Sequence, residues 1–259
     1  MSIVEQMLKN APNPLLHIAD VSGSALFQGD CLDIMPLIPD KSVQLILADL
    51  PYGTTACKWD SIIDLDLLWK QYKRIIKDNG AIVLTASQPF TTKLISSNYE
   101  MFKYEWIWDK CNPTNFASAN KQPMKYHENI LVFSKKQAIY NPIKWQGKKN
   151  HKQGLSKNNF AETRGNIKRV EDDLSGLKFP KSIIQFEKHS SQCGLHPTQK
   201  PLELMKYLIS TYTNENDMVL DNTMGSGTTC LAAKELNRKF IGIEKEPKYY
   251  EIACQRCGF

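Results

Sequence analysis

The sequence has no apolar run that could cross a membrane. Stretches such as 45–48 and 81–84 are far shorter than the ~20 residues a span needs. Its first residues, MSIVEQMLKNAPNP, are not a basic stretch followed by an apolar one, so no secretory signal is legible. A cytoplasmic protein with no membrane partner is therefore expected. Cysteine supplies no framework either. The seven cysteines are scattered at 31, 57, 111, 193, 230, 254 and 257, an odd number in a chain of 259. Only Cys254 and Cys257 form a close pair, and a structural zinc site needs four ligands, so no metal is expected. Glycine and proline, 13 each and without a period, exclude a collagen-like or low-complexity chain.

What is present is a chain of one-domain length with 42% hydrophobic residues, enough to bury a sizeable core. Its net charge is +6, but the charge is uneven. Residues 135–195 hold 13 Lys and Arg against 5 Asp and Glu, a balance of +8, which leaves the rest at −2. A basic segment on a slightly acidic body suits a polyanionic partner touched by one region. A solvated Lys-rich loop would have the same composition.

Apolar spacing predicts strands at 42–48, 81–85, 104–108, 130–133, 218–220 and 240–243, with helices at 65–77, 89–97, 202–212 and 228–236. The triplet Asp78-Asn79-Gly80 reads as a helix stop. The run SVQLILA at 42–48 is apolar almost throughout, as a parallel strand covered on both faces must be. Strands alternating with helices at this spacing predict an α/β fold with a mostly parallel sheet. Residues 135–195 lack periodicity and are not expected to join that sheet.

Two elements point to a cofactor. Asp221 to Thr229 (DNTMGSGTT) follows a strand and opens a helix, with Gly225 and Gly227 allowing close backbone approach and the helix N-terminus offering free N–H groups. The loop lacks the Gly-Lys-Ser/Thr of a phosphate-binding P-loop, and Cys230 stands where a full G-x-G-x-x-G would have its last glycine. About 20 residues past the glycines, Glu244 ends a strand where a carboxylate can accept from ribose hydroxyls. Together these indicate an adenosine-containing cofactor without saying which.

A third element is Asp49-Leu50-Pro51-Tyr52-Gly53, an acid, an X-Pro step and an aromatic at the carboxyl end of a strand. This segment resembles the Asp-Pro-Pro-Tyr motif of the DNA amino-methyltransferases. The resemblance extends to Gly29 to Cys31 (GDC), Glu105 to Lys110 (EWIWDK), Tyr126 to Phe133 (YHENILVF), His196 to Pro201 (HPTQKP) and the Asp221 to Thr229 loop. The catalytic motif precedes the cofactor loop with the basic stretch between them, an order similar to the β group of that family. There are two departures: Leu50 replaces the first proline, and Asn222-Thr223 replaces the more usual Pro-Phe. The first leaves a backbone carbonyl in place, and the second spares Asp221 and both glycines.

The resemblance implies a Rossmann-like, seven-stranded, mostly parallel sheet. Residues 1–134 and 196–259 would form the catalytic domain, and 135–195 a target-recognition insertion. The implied cofactor is S-adenosylmethionine and the implied partner double-stranded DNA, with a homodimer and a separate cognate endonuclease as further partners. Asp49 and the Leu50 carbonyl would accept from the target amine, with Pro51 shaping the turn and Tyr52 stacking on the base. Asp30 and Cys31 would lie at the cofactor adenine and Glu244 at its ribose. Gly225, Ser226, Gly227 and Thr228 would hold the methionine end, with Thr198 and Lys200 near its carboxylate. Asp221 would contact its ammonium or brace the loop. Within the insertion, Lys148, Lys149, Lys152, Arg164, Lys168 and Arg169 are candidate DNA contacts, Arg being the better reader of bases. Asp at position 49 implies adenine N6 as the target. A cytosine-N4 enzyme is the alternative, and a cofactor-binding DNA reader without turnover a more distant one. An NAD-dependent dehydrogenase would explain the Gly-rich loop and Glu244 but not Asp49 to Gly53.

Overall fold

The computed structural model describes residues 2–10, 18–21, 23–53, 61–148, 175–187 and 199–259. In chain order the helices are α1 (Ile3–Asn10), α2 (Cys31–Ile34), α3 (Leu65–Ile75), α4 (Phe90–Ser97), α5 (Leu202–Tyr212), α6 (Thr228–Glu235) and α7 (Pro247–Cys257). The strands are β1 (Ile18–Val21), β2 (Ser24–Gln28), β3 (Val43–Ala48), β4 (Ile76–Ala86), β5 (Phe102–Thr114), β6 (Lys125–Phe133), β7 (Trp145–Gln146), β8 (Leu177–Lys178), β9 (Ile183–Gln185), β10 (Met218–Asp221) and β11 (Lys239–Glu244). No helix among the described residues is long and apolar enough to cross a membrane.

Residues 1–141 with 182–259 form one compact unit and residues 142–181 a second. The first is built on a sheet of order β1-β2-β11-β10-β3-β4-β6-β5-β9. The five strands from β2 to β4 run parallel, and β6 lies antiparallel between β4 and β5. The apolar run of β3 behaves as a doubly covered strand should. Leu45 and Leu47 enter a core with α5, α6 and α7, while Ile46 and Ala48 enter another with α2, α3 and α4. In α3, Asp64 caps the N-terminus by accepting from Asp66 N and Leu67 N, and Leu68, Trp69, Tyr72 and Ile75 form the buried stripe. The second unit contains the antiparallel pair β7–β8, with the Lys144 ammonium 4.7 Å from the Phe179 ring centre and that of Lys181 4.9 Å from the Trp145 ring centre.

Three expectations are corrected. Among the described residues the sheet has nine strands rather than seven, because β1 adds a hairpin edge beside β2 and β9 extends the opposite edge beside β5. The basic stretch is therefore not wholly outside the sheet: Ile183–Gln185 pairs parallel with β5, anchored by buried Ile184, and three residues are too few to leave a period. Finally, Asp78-Asn79-Gly80 does not stop a helix. Helix α3 ends at Ile75, and β4 runs through the triplet as an irregularity opposite Val43 and Leu45. Gln44 Nε2 donates to Asn79 O at 3.0 Å, and a Cβ on Gly80 would lie 2.8 Å from Gln44 O, so only glycine lets the two backbones pass.

The topology places the site. From β3 the chain goes outward to β4, and from β10 it goes the other way to β11. Open α/β sheets bind ligands at such a reversal, beyond the carboxyl ends of the strands. Here the reversal lies between β3 and β10, and their ends are tied by Thr223 Oγ1 donating to Asp49 O at 3.1 Å.

Candidate active site

A cavity of about 320 Å³ opens at this reversal, within the size range of small-molecule sites. Its wall joins Asp49 to Tyr52 on one side with Asp221 to Ser226 and Glu244 on the other.

On the β3 side, the Asp49 carboxylate is held on both oxygens. Tyr52 Oη donates to Oδ1 at 2.8 Å. Thr85, from β4, donates to the same oxygen and lies 3.1 Å from the Tyr52 hydroxyl. Lys200 Nζ sits 2.6 Å from Oδ2 and 3.4 Å from Glu128 Oε2. Lys110, fully buried, approaches Glu128 Oε1 at 3.7 Å. Burial alone would depress the Lys200 ammonium, but Asp49 and Glu128 outweigh it and hold it above its ordinary value. Burial, then the charges of Asp49 and Glu128, push the Tyr52 phenol well up, so it stays a neutral donor. Phe90 stacks on the Tyr52 ring at 5.3 Å and 25°, fixing the plane of that ring.

On the β10 side, backbone dominates. Gly225 N donates to Glu244 Oε2 and Glu246 N to Oε1, each at 2.8 Å. Burial nonetheless raises the Glu244 carboxyl, those bonds opposing it in part. A carboxylate has about four acceptor sites, so two hydroxyls can still be bound there. Gly227 has φ 75°, and a Cβ on it would lie 2.8 Å from Ala253 Cβ. Asp221 accepts from Thr223 N at 3.1 Å. Burial pushes its carboxyl up to about 7, with Asp49 and Glu244 adding to the rise and bonds from Thr229 and Thr223 opposing it. Burial likewise pushes the Cys31 thiol up to about 11, so it is not a reactive thiolate.

The cavity thus brings together Asp30, Cys31, Asp49, Leu50, Pro51, Tyr52, Lys200, Asp221, Gly225, Ser226, Thr228 and Glu244. Asp30 also caps α2 through Leu32 N at 2.9 Å and pairs with Lys245 at 3.1 Å. Lys200, expected beside a cofactor carboxylate, is engaged by Asp49 and Glu128 instead. Lys148 is exposed in the second unit. Thr198, Lys149, Lys152, Arg164, Lys168 and Arg169 lie outside the described residues.

Four contributors escaped sequence reasoning. Thr85 and Glu128 sit on strands whose apolar periods gave no hint of a site. Tyr72 donates to Asn222 Oδ1 at 2.5 Å from the core face of α3. Arg256 reaches from α7 to Ser226 O at 2.6 Å and to the Ser226 and Thr228 hydroxyls at 3.0 Å. Only Glu128 had a signal, as a charged residue beside His127 in a strand otherwise heading into the core.

The family model described as DNA methylase matches residues 43–255, which include the whole crevice apart from Gly29, Asp30 and Cys31. The chain belongs to the N4/N6 DNA methylase family. The Type II methyltransferase M.HinfI of Haemophilus influenzae is 29% identical to it, over 90% of this chain and 68% of its own. M1.MboII of Moraxella bovis is 29% identical over 88% and 94%. The crystal structure of M1.HpyAVI with SAM superposes with a TM-score of 0.62 at 27% identity, covering 90% of this chain and 98% of that one. The cytosine-N4-specific PvuII methyltransferase has the same fold, with a TM-score of 0.65, 17% identity and coverage of 90% and 86%. The chain is a DNA methyltransferase with S-adenosylmethionine as its cofactor. The crevice suits that ligand: one continuous cavity runs from the Glu244 carboxylate, with acceptor capacity for a ribose, to Asp49.

Proposed function

We propose that the enzyme methylates the N6 amino group of adenine in duplex DNA. Asp49 carries the reading: a carboxylate, not a serine, heads the motif and opens into the same cavity as the cofactor loop. The lone pair of an aromatic amine is delocalised into its ring, so attack requires that nitrogen to turn tetrahedral. The Asp49 carboxylate and the Leu50 carbonyl, as acceptors for its two hydrogens, favour that geometry. Positive charge grows on the nitrogen during attack, and a preorganised carboxylate stabilises it. Alignment of amine and methyl group in one cavity supplies much of the rest.

Bound S-adenosylmethionine supplies an electrophilic methyl group on a sulfonium. Glu244 would hold its ribose hydroxyls, the 225–228 backbone its methionine end, and Asp30 its adenine amine. The target base must leave the duplex to reach Asp49. Tyr52, braced by Phe90, would stack on it, a contact worth ~1–3 kcal/mol per base. Residues 135–195 would recognise the target through Lys148, Lys149, Lys152, Arg164, Lys168 and Arg169. The Type II names of the relatives support a separate cognate endonuclease as a functional partner, and a homodimer is the assembly we expect.

Methyl transfer from labelled S-adenosylmethionine to unmethylated genomic DNA, followed by digestion to nucleosides and mass identification, tests the reading. N6-methyladenine is the expected product. N4-methylcytosine would overturn the inference from Asp49 while leaving fold and cofactor intact. No methylated nucleoside, with cofactor bound, would overturn duplex DNA as the substrate of the isolated chain.

A further inference from the structure

Asp49 does not face the cavity alone. Its Oδ2 lies 2.6 Å from the Lys200 ammonium, so an acceptor and a donor stand side by side on the same wall, with Thr85, Trp108 and Glu128 completing it. Lys200 is 10% exposed, and Glu128, at 3.4 Å, ties it from the other side. The Glu128 carboxylate is shared with buried Lys110, so Lys200 is anchored without being neutralised by Glu128 alone. An ammonium has three donors, and two carboxylates do not exhaust them.

An acceptor beside a donor matches one edge of the base. In adenine the target amino group, a donor, is attached next to N1, an acceptor. We propose that Lys200 is a base-binding residue that donates to adenine N1 while Asp49 accepts from N6, so that the pair reads the amino and ring-nitrogen edge as a unit. This rests on the adenine reading above. In the base-free enzyme the ammonium occupies the acceptor that the amino group will use. When the base enters, the amino group takes its place at Oδ2, and Lys200, retained by Glu128, faces the neighbouring ring nitrogen. The same residues explain why the carboxylate is not left bare in a partly buried site, where an unpaired charge is costly.

The test compares duplexes carrying the mapped site with either adenine or 1-deazaadenine at the target, each opposite an abasic position so that loss of N1 does not also weaken a base pair. The deaza base keeps the amine and the ring but lacks the N1 acceptor. Wild type, Lys200→Met and Lys200→Arg are each measured by equilibrium binding with S-adenosylhomocysteine and by single-turnover transfer. Loss of a hydrogen bond from a charged donor should weaken wild-type binding to the deaza duplex on the order of ten- to a hundredfold. Lys200→Met should bind the two duplexes within about twofold of each other, and Lys200→Arg should restore part of the discrimination.

Equal binding of both duplexes by wild type overturns the proposal, whatever the variants do. So does equal discrimination by wild type and Lys200→Met, which would mean that Lys200 acts only on Asp49. A raised S-adenosylhomocysteine Kd in Lys200→Met with unchanged base discrimination would return Lys200 to the cofactor carboxylate. Failure of the adenine reading is distinct: wild type would then form no N6-methyladenine on the unmodified duplex.

Discussion

On the β10 side of the crevice, most groups facing the cavity come from the stretch 221 to 249, joined by Gly29 to Cys31, and Asp221 and Glu244 are held mainly by backbone N–H groups, with Tyr72 and Arg256 bracing the loop from behind. On the β3 side the central group is a single carboxylate, and two of its partners lie 36 and 151 positions away and bond through side chains. The first is a cradle that local geometry can build. The second is a charge constellation that exists only after the sheet has closed. The two sides should therefore fail differently: the β3 side in turnover, the β10 side in cofactor affinity and stability.

The largest separation is expected from Asp49→Ala. It removes the acceptor for the amine but leaves the Gly225 to Glu244 cradle intact. Turnover should fall by about two to three orders of magnitude, the loss typical of a preorganised electrostatic group. The Kd for S-adenosylmethionine, read by calorimetry, should stay within about threefold. A tenfold or larger loss of cofactor affinity would break the distinction between the two sides.

Gly227→Ala attacks the cradle from its backbone. The residue sits at φ 75°, and the new Cβ would meet Ala253 Cβ at 2.8 Å. Strain of this kind costs ~1–3 kcal/mol, so the melting temperature should drop by roughly 2–12 °C, at about 2–4 °C per kcal/mol for a chain of this size. Cofactor affinity should fall with it. An unchanged melting temperature would show that α7 yields freely, and that the loop is not held by its contact there.

The same contrast explains what the sequence could and could not reveal. The cradle was legible because its chemistry is local: two glycines after a strand, and a carboxylate about 20 residues on, state its geometry almost directly. Asp49 to Tyr52 was legible for the same reason. Thr85 and Arg256 were not, because each is a single polar residue in an element whose apolar pattern describes packing, and Glu128 showed only as a charge beside His127. Lys200 was found but set against the cofactor, since a spacing of 151 residues says nothing of which carboxylate it meets. The fold was legible wherever an element buries one or two faces. It was misread at β9, too short to show a period, and at Asp78-Asn79-Gly80, where turn-forming residues serve a strand irregularity.

A one-sided effect should follow from Glu244→Gln. The carboxylate accepts from Gly225 N and Glu246 N. An amide can accept on only one of its two heavy atoms, so one backbone donor loses its partner and the ribose loses an ionised acceptor. About 1.4–2.7 kcal/mol of cofactor affinity, a tenfold to hundredfold rise in Kd, is expected. Turnover at saturating cofactor should change little. A fall in turnover with unchanged Kd would place Glu244 functionally with Asp49.

The effect that couples the two sides, read as a difference between slopes, concerns Asp221. Its carboxyl is pushed up to about 7 by burial, above the unfolded value near 4, with Asp49 contributing to the rise. Between those two values the folded chain binds a proton that the unfolded chain has released. Stability from this group is therefore full below pH 4 and is lost as pH rises toward 7, with a slope of up to about 1.4 kcal/mol per pH unit. Other groups add their own slopes, so the difference between proteins is the readout. From pH 5 to 7, Asp221→Asn should lose less melting temperature than wild type does, because an amide has no proton to lose. Asp49→Asn should also flatten the wild-type dependence, but by less, since burial rather than the Asp49 charge is the main cause. If instead Asp49→Asn flattened it as much as Asp221→Asn, the charge on the β3 side would be what governs the titration of the β10 side, and the two could not be treated as separately built.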